Sequence, residues 1–175
     1  MNMASSVRPA ADEFALHYTQ YIAGVPDGDV TRTLAEQGDA LLARYKHLTD
    51  AQAHHAYATG KWTVKEVICH ISDAERIFMY RALRIARGDA TPLPSFDENA
   101  YAAACGANDR ALDTLLAEFA AVRGATLALL RWLPEEAWAR RGTASGKEVS
   151  VRALAWITAG HALHHVNVLQ ERYGM

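Results

Sequence analysis

The chain has 175 residues, half of them hydrophobic and 22% charged, with a formal net charge of −2. That length supports one domain with a proper core, and the near-neutral balance excludes the strongly basic surface that duplex nucleic acid demands. The first ten residues hold no apolar run, no stretch approaches the roughly 20 apolar residues of a membrane span, and two cysteines, Cys69 and Cys105, make no disulfide framework. The expectation is a cytoplasmic protein with neither a membrane nor a nucleic-acid partner.

Hydrophobic periodicity is helical almost throughout, and strand-like alternation is scarce. A short leading helix is predicted over 12–23, with Phe14, Tyr18 and Tyr21 on one face, broken by Val25-Pro26-Asp27-Gly28-Asp29. Residues 1–30 read as an N-terminal extension carrying that helix, and 31–175 as a single bundle domain. The first long helix spans about 31–47, on the stripe Leu34, Gly38, Leu41, Tyr45 and Leu48. The second opens at the capping box Thr63-x-x-Glu66 and stops at Gly88. The third covers about 108–133, ended by Pro134, and the fourth runs from near Ser150 to about Tyr173. Segment 89–107, with Pro92, Pro94 and Gly106, is long for a bundle loop and lets helices two and three run parallel. The fold class is therefore all-α, a four-helix bundle with up-down-down-up topology and a short extra N-terminal helix. A helical turn is predicted near 97–101 in the long crossover. Phe96, Asp97, Glu98 and Tyr101 are placed there to cover a pocket mouth or a subunit interface.

The chemistry lies in the histidines. His161 and His165 are four residues apart on the fourth helix, which puts both rings on one face as a two-point claw for a metal ion. His70 lies on the second helix among Val67, Ile68, Ile71 and Ala74, so it points inward, where a lone imidazole needs a partner. His164, three residues from His161, is the rival for the second arm of the claw. Glu66 is a candidate fourth ligand, although the capping box accounts for it better. Three imidazoles leave an open position for water or substrate, as in a reactive site, and both zinc and nickel suit them. Asp73, one turn after His70, is the candidate catalytic base or the group that orients a ligand imidazole. Arg81, Arg84 and Arg87 read as a solvated basic strip or a dimer contact.

Three groups of residues resemble the DinB-like superfamily of bacterial metal-binding bundles, also called DinB/YfiT-like. The first is the run Lys61-Trp62-Thr63-Val64-Lys65-Glu66-Val67-Ile68-Cys69-His70-Ile71-Ser72-Asp73-Ala74-Glu75-Arg76. The second comprises Tyr80-Arg81-Ala82-Leu83-Arg84 and Pro92-Leu93-Pro94-Ser95-Phe96-Asp97-Glu98. The third is the closing Gly160-His161-Ala162-Leu163-His164-His165 with Glu171-Arg172-Tyr173. The resemblance covers most of the chain after about residue 31. It implies an up-down-down-up bundle, often dimeric, with a three-histidine metal site that maps onto His70, His161 and His165. It also implies thiol-dependent chemistry, since relatives include S-transferases using bacillithiol or mycothiol and a maleylpyruvate isomerase. The chain departs from many relatives at Val168, where they carry a Gln three residues after the paired histidine; Gln170 falls on another face. The expected function is a metal-dependent transferase or hydrolase acting on small molecules. Its expected features are a zinc or nickel ion, a low-molecular-weight thiol as cosubstrate and a homodimeric assembly. The alternative is a non-catalytic metal-containing binding or stress-response module.

Overall fold

The computed structural model describes residues 3–175; Met1 and Asn2, at the start of the predicted 1–30 extension, lie outside them. The helices, in chain order, are α1 (Thr19–Gly24), α2 (Val30–Tyr45), α3 (Asp50–Ala53), α4 (Val64–Ala86), α5 (Glu98–Ala104), α6 (Leu112–Arg131), α7 (Glu135–Trp138) and α8 (Val151–Tyr173). A hairpin of β1 (Arg141–Ala144) and β2 (Lys147–Ser150) precedes α8.

Local chemistry explains where three of the four long helices start and where α4 stops. Asp29, Thr63 and Ser150 each accept a hydrogen bond from a first-turn backbone N–H of α2, α4 and α8. At α4 the predicted capping box forms, with Glu66 returning to the Thr63 N–H. Gly88, at φ +80°, takes up the left-handed conformation that ends α4.

The four long helices form an up-down-down-up bundle, and their contacts fix the directions. Helices α2 and α8 run parallel: Gln37 donates to the Ala159 carbonyl at 3.2 Å, and farther along both, Leu41 and Arg44 share a cleft with Ala162 and Val166. Between α4 and α6 the order is also parallel, since Arg76 and Leu83 of one face Val122 and Leu129 of the other in one groove. By contrast α4 and α8 are antiparallel. The Tyr173 hydroxyl donates to the Trp62 carbonyl at 2.7 Å at one end, and Arg140, just before the hairpin, reaches the Ala86 carbonyl at the other.

Two apolar clusters fill the interior. One holds Val30, Leu34, Phe78, Ile85, Trp138, Leu154 and Trp156; the other holds Leu41, Tyr45, Ile68, Leu115, Phe119 and Leu169. Between them runs a polar stratum, in which each long helix contributes small or polar residues at one level: Gln37 and Gly38, His70, Ser72 and Glu75, Arg123 and Thr126, Gly160 and His161.

Three elements differ from the sequence reading. The predicted helix over 12–23 is two 3-10 turns, Ala11–Glu13 and Leu16–Tyr18, followed by the short α1. Phe14 is extended, and Arg8 ties the chain down by donating to the Ile22 and Val25 carbonyls at 2.6 and 2.7 Å. This segment packs into the bundle. Gly160 of α8 lies so close to the Tyr21 carbonyl that no side chain fits there. The third long helix starts at Leu112, not near 108, because Gly106 at φ +64° opens a separate 3-10 turn, Ala107–Asp109. The hairpin was not foreseen. Ser145 and Gly146, at φ 52° and 72°, make its two-residue turn, so the Ser-Gly dipeptide was the available signal. Leu93 is strapped to the hairpin, its N–H donating to Thr143 at 2.8 Å and its carbonyl accepting from the Ser145 N–H at 3.0 Å. That strap brings the crossover, with the predicted helical turn realised as α5, onto the same side as the histidines.

Candidate metal centre

Helix α4 carries His70 near its first turns, and antiparallel α8 brings His161 and His165 against it. The Nε2 atoms of His70 and His161 stand 2.9 Å apart, and one ligand atom from each of the three imidazoles lies within 4.8 Å of the other two. A tetrahedral centre with bonds of about 2.05 Å needs nitrogens about 3.3 Å apart; the 2.9 Å pair lies just below that and the 4.8 Å limit on the set above it, so small side-chain shifts would bring the three rings to the spacing of a small divalent ion. A single imidazole–imidazole hydrogen bond would occupy two of the rings and leave the third facing them. An ion could take all three.

Aromatic side chains hold the rings. Trp62 packs on His70 at 4.8 Å between centroids and stacks on His165 at 6.4 Å, while Tyr21 and Phe78 meet His161 edge-on at 5.6 and 5.7 Å. Burial pushes all three imidazoles toward the neutral form. His70 falls to about 4, a drop that nearby Glu98 opposes and His164 adds to. His165 falls to about 3, through burial and then His70 and His164. His161 lies well below the ordinary value, through burial and then His165 and His70. Neutral imidazole is the form that ligates a metal.

The histidines form one wall of a cavity of about 460 Å³, whose other walls include His17, Tyr18, Tyr21, Trp62, Phe78, Arg81, Phe96, Glu98 and Ser145. Phe96 and Glu98 come from the crossover, which the sequence places at a pocket mouth or a subunit interface; Asp97 and Tyr101 of the same segment do not line the cavity. Tyr18, Tyr21 and His17 come from the N-terminal segment; the sequence reading had given it no part in the site.

Other predicted residues lie elsewhere. His164 is exposed and packs beside Tyr21, at 5.2 Å between ring centroids, outside the three-imidazole group. Both Glu66 oxygens are taken, by the Thr63 N–H and by Asn108. Asp73 is not brought to the histidines: its carboxylate pairs with Arg76 at 3.1 Å, stands 3.9 Å from the Cys69 thiol and does not line the cavity. One helical turn beyond His70, it has swung toward α6, where Arg76 also pairs with Glu118. The carboxylate that lines the cavity is Glu98. The supposed basic strip also divides: Arg84 pairs with Asp89, Arg87 is exposed, and Arg81 is buried at the cavity wall, 3% exposed. Positions three apart drift about 60° around a helix, enough to carry Arg81 inside. The Cys69 thiol is pushed up to about 12, mainly by burial and then by Asp73 and Cys105, so it is no nucleophile at neutral pH.

The chain belongs to the DinB superfamily, whose family model matches residues 33–169. Its structure is similar to that of YfiT from Bacillus subtilis, described as a probable metal-dependent hydrolase with an unusual four-helix bundle topology. The TM-score is 0.74 at 20% identity, over 97% of this chain and 94% of that one. It is also similar to a mycothiol-dependent maleylpyruvate isomerase, with a TM-score of 0.67 at 17% identity over 83% of this chain, which spans 61% of that one. At these identities the likeness is one of fold. No curated protein sequence matches the chain. Among the described residues, no helix is long and apolar enough to cross a membrane.

Proposed function

We propose that His70, His161 and His165 hold a divalent ion, zinc or nickel, and that the protein is a metal-dependent transferase or hydrolase acting on a small molecule. The observation that carries this reading is the convergence of three neutral imidazoles at the wall of an open cavity, with no fourth protein ligand in the group among the described residues. A closed, four-ligand site would argue for a structural metal; the room beside this one argues for a substrate and against a purely non-catalytic binding module. When bound, the ion would supply Lewis acidity, lowering the pKa of a coordinated water or thiol. The protein's own groups do the rest. Trp62 and Phe78 fix the imidazole planes and keep bulk water from their flanks. Tyr18 and Tyr21, pushed up from the ordinary phenol value by burial, offer hydroxyl donors. Glu98, the carboxylate on the same cavity wall, is our candidate to accept a proton from the nucleophile. The likeness in fold to a mycothiol-dependent enzyme supports a low-molecular-weight thiol as cosubstrate. A cytoplasmic homodimer completes the reading, supported by exposed Tyr80 and Leu83 beside an apolar groove between α4 and α6.

Elemental analysis of untagged protein tests the metal: about one equivalent of zinc or nickel is expected per chain, lost in His161→Ala while helicity is retained. Turnover of a panel of thiols and electrophiles above the His161→Ala background then tests catalysis, and its absence across the panel would sink the enzymatic reading. Light scattering in solution reads the dimer.

A further inference from the structure

Arg81 is a buried cation without a counter-ion. Its side chain reaches the cavity wall from α4, the residue is 3% exposed, and no carboxylate of the described residues lies within ion-pair distance of it. Nη2 donates to the Pro94 carbonyl at 2.6 Å and the Ser145 hydroxyl at 3.0 Å; Tyr18 faces the group, and the Phe96 ring lies 6.0 Å away. Those oxygens hold the guanidinium in place and leave its charge uncompensated. A guanidinium has five N–H donors, so more remain than these partners use. A buried charge is costly unless paired, and pairing one costs less than leaving it alone. The contrast within this molecule is direct, because the other deeply buried arginine, Arg123, has Glu75 against it at 2.7 Å.

From this we infer that Arg81 is the anion-recognition group of the cavity and that the substrate carries a carboxylate, which Arg81 holds while the reacting end lies at the histidines. The inference rests on reading the cavity as a substrate site. A single guanidinium, with Glu98 on the same wall, matches a monoanion; a phosphate dianion would meet too little positive charge. The aromatic walls suit the uncharged remainder of such a molecule, and the cavity's size sets it at a small organic acid or acid derivative.

Benzoate and its neutral isostere benzamide are the probes, titrated by nuclear magnetic resonance into wild type, Arg81→Gln and Arg81→Lys, each metal-free and zinc-loaded. Wild type should prefer benzoate by about tenfold or more in both forms. The preference should vanish in Arg81→Gln and be largely restored in Arg81→Lys. Should Arg81→Gln fail to fold, the wild-type Arg81 Nε–H resonance decides, moving with benzoate and not with benzamide. Absence of any preference overturns the inference. So does a preference that appears only with zinc and survives Arg81→Gln, in which case the metal takes the carboxylate and the metal reading stands. A preference that depends on Arg81 in protein unable to bind zinc upholds the inference and removes the metal reading.

Discussion

The polar stratum that divides the core has two sides, and they are built on opposite principles. On the α2–α4–α6 side, Arg123 grips Glu75 through Nε at 2.9 Å and Nη2 at 2.7 Å and donates Nη1 to the Leu34 carbonyl. Gly38 admits the arginine, since a Cβ there would stand 3.1 Å from its side chain. Every charge is answered from within the chain. On the α4–α8 side, three neutral imidazoles face one another, and farther along α4 than the stratum Arg81 lacks a counter-ion; both groups open onto a cavity. Buried charge that is answered within the chain positions helices, although on this side the buried Gln37 Oε1 has no partner among the described residues. Buried polarity left incomplete at a cavity wall is where a ligand belongs.

The largest effect that could break this contrast is on the closed side. Arg123→Ala leaves the Glu75 carboxylate buried alone and should cost about 3–5 kcal/mol of folding stability, read from the denaturation midpoint, with zinc stoichiometry unchanged. Replacing both partners by apolar residues of similar volume should return most of that loss. A cost under about 1 kcal/mol for the single variant would mean that the pair does not complete the stratum.

On the open side, acid should act first. The histidines are held neutral in the folded metal-free protein, His70 down to about 4 and His165 to about 3, while the unfolded chain takes up protons near the ordinary value of 6.5. The unfolded state therefore binds more protons between these values, so stability is full above about 6.5 and falls as pH drops toward 4. For His70 the loss is on the order of 3 kcal/mol by the lower limit. Urea titrations of metal-free protein from pH 7 to 4 measure it. A His70→Gln variant should show a shallower decline, and an unchanged slope would sever the link to the histidines.

The smallest expected effect sharpens the boundary of the site. Asp73→Asn should change stability by no more than about 1 kcal/mol, because its partner Arg76 is 45% exposed, and zinc affinity should not move. A hundredfold drop in metal affinity would return Asp73 to the imidazoles.

Much of this was legible along the chain. The four long helices followed from apolar periodicity and from caps such as Thr63 and Ser150, because these interactions are local. The His161–His165 claw followed from the helical repeat, and His70 from its apolar neighbours. The crossover's length announced the topology, and left a pocket mouth and a subunit interface both open as what it covers. Asp73 was misplaced because spacing gives an angle around a helix but not the neighbour that captures the side chain. Arg81 was read as surface for the complementary reason: three residues from Arg84, it has turned far enough to be enclosed by Pro94, Phe96 and Ser145. The aromatic wall from Tyr18 and Tyr21 carried no signal, since nothing in residues 1–30 shows that Gly160 will admit their backbone.

By itself, then, the sequence determined the four long helices, the caps of three of them, the bundle and the set of histidines able to meet, because each depends on interactions within a few residues or on one repeating period. Only the tertiary structure decided which polar groups the bundle would leave unanswered. The pairing of Arg123 with Glu75 and the exposure of Arg81 to a cavity depend on residues 48 and 64 positions away, Glu75 in the first case and Ser145 in the second. Neither periodicity nor capping reaches that far.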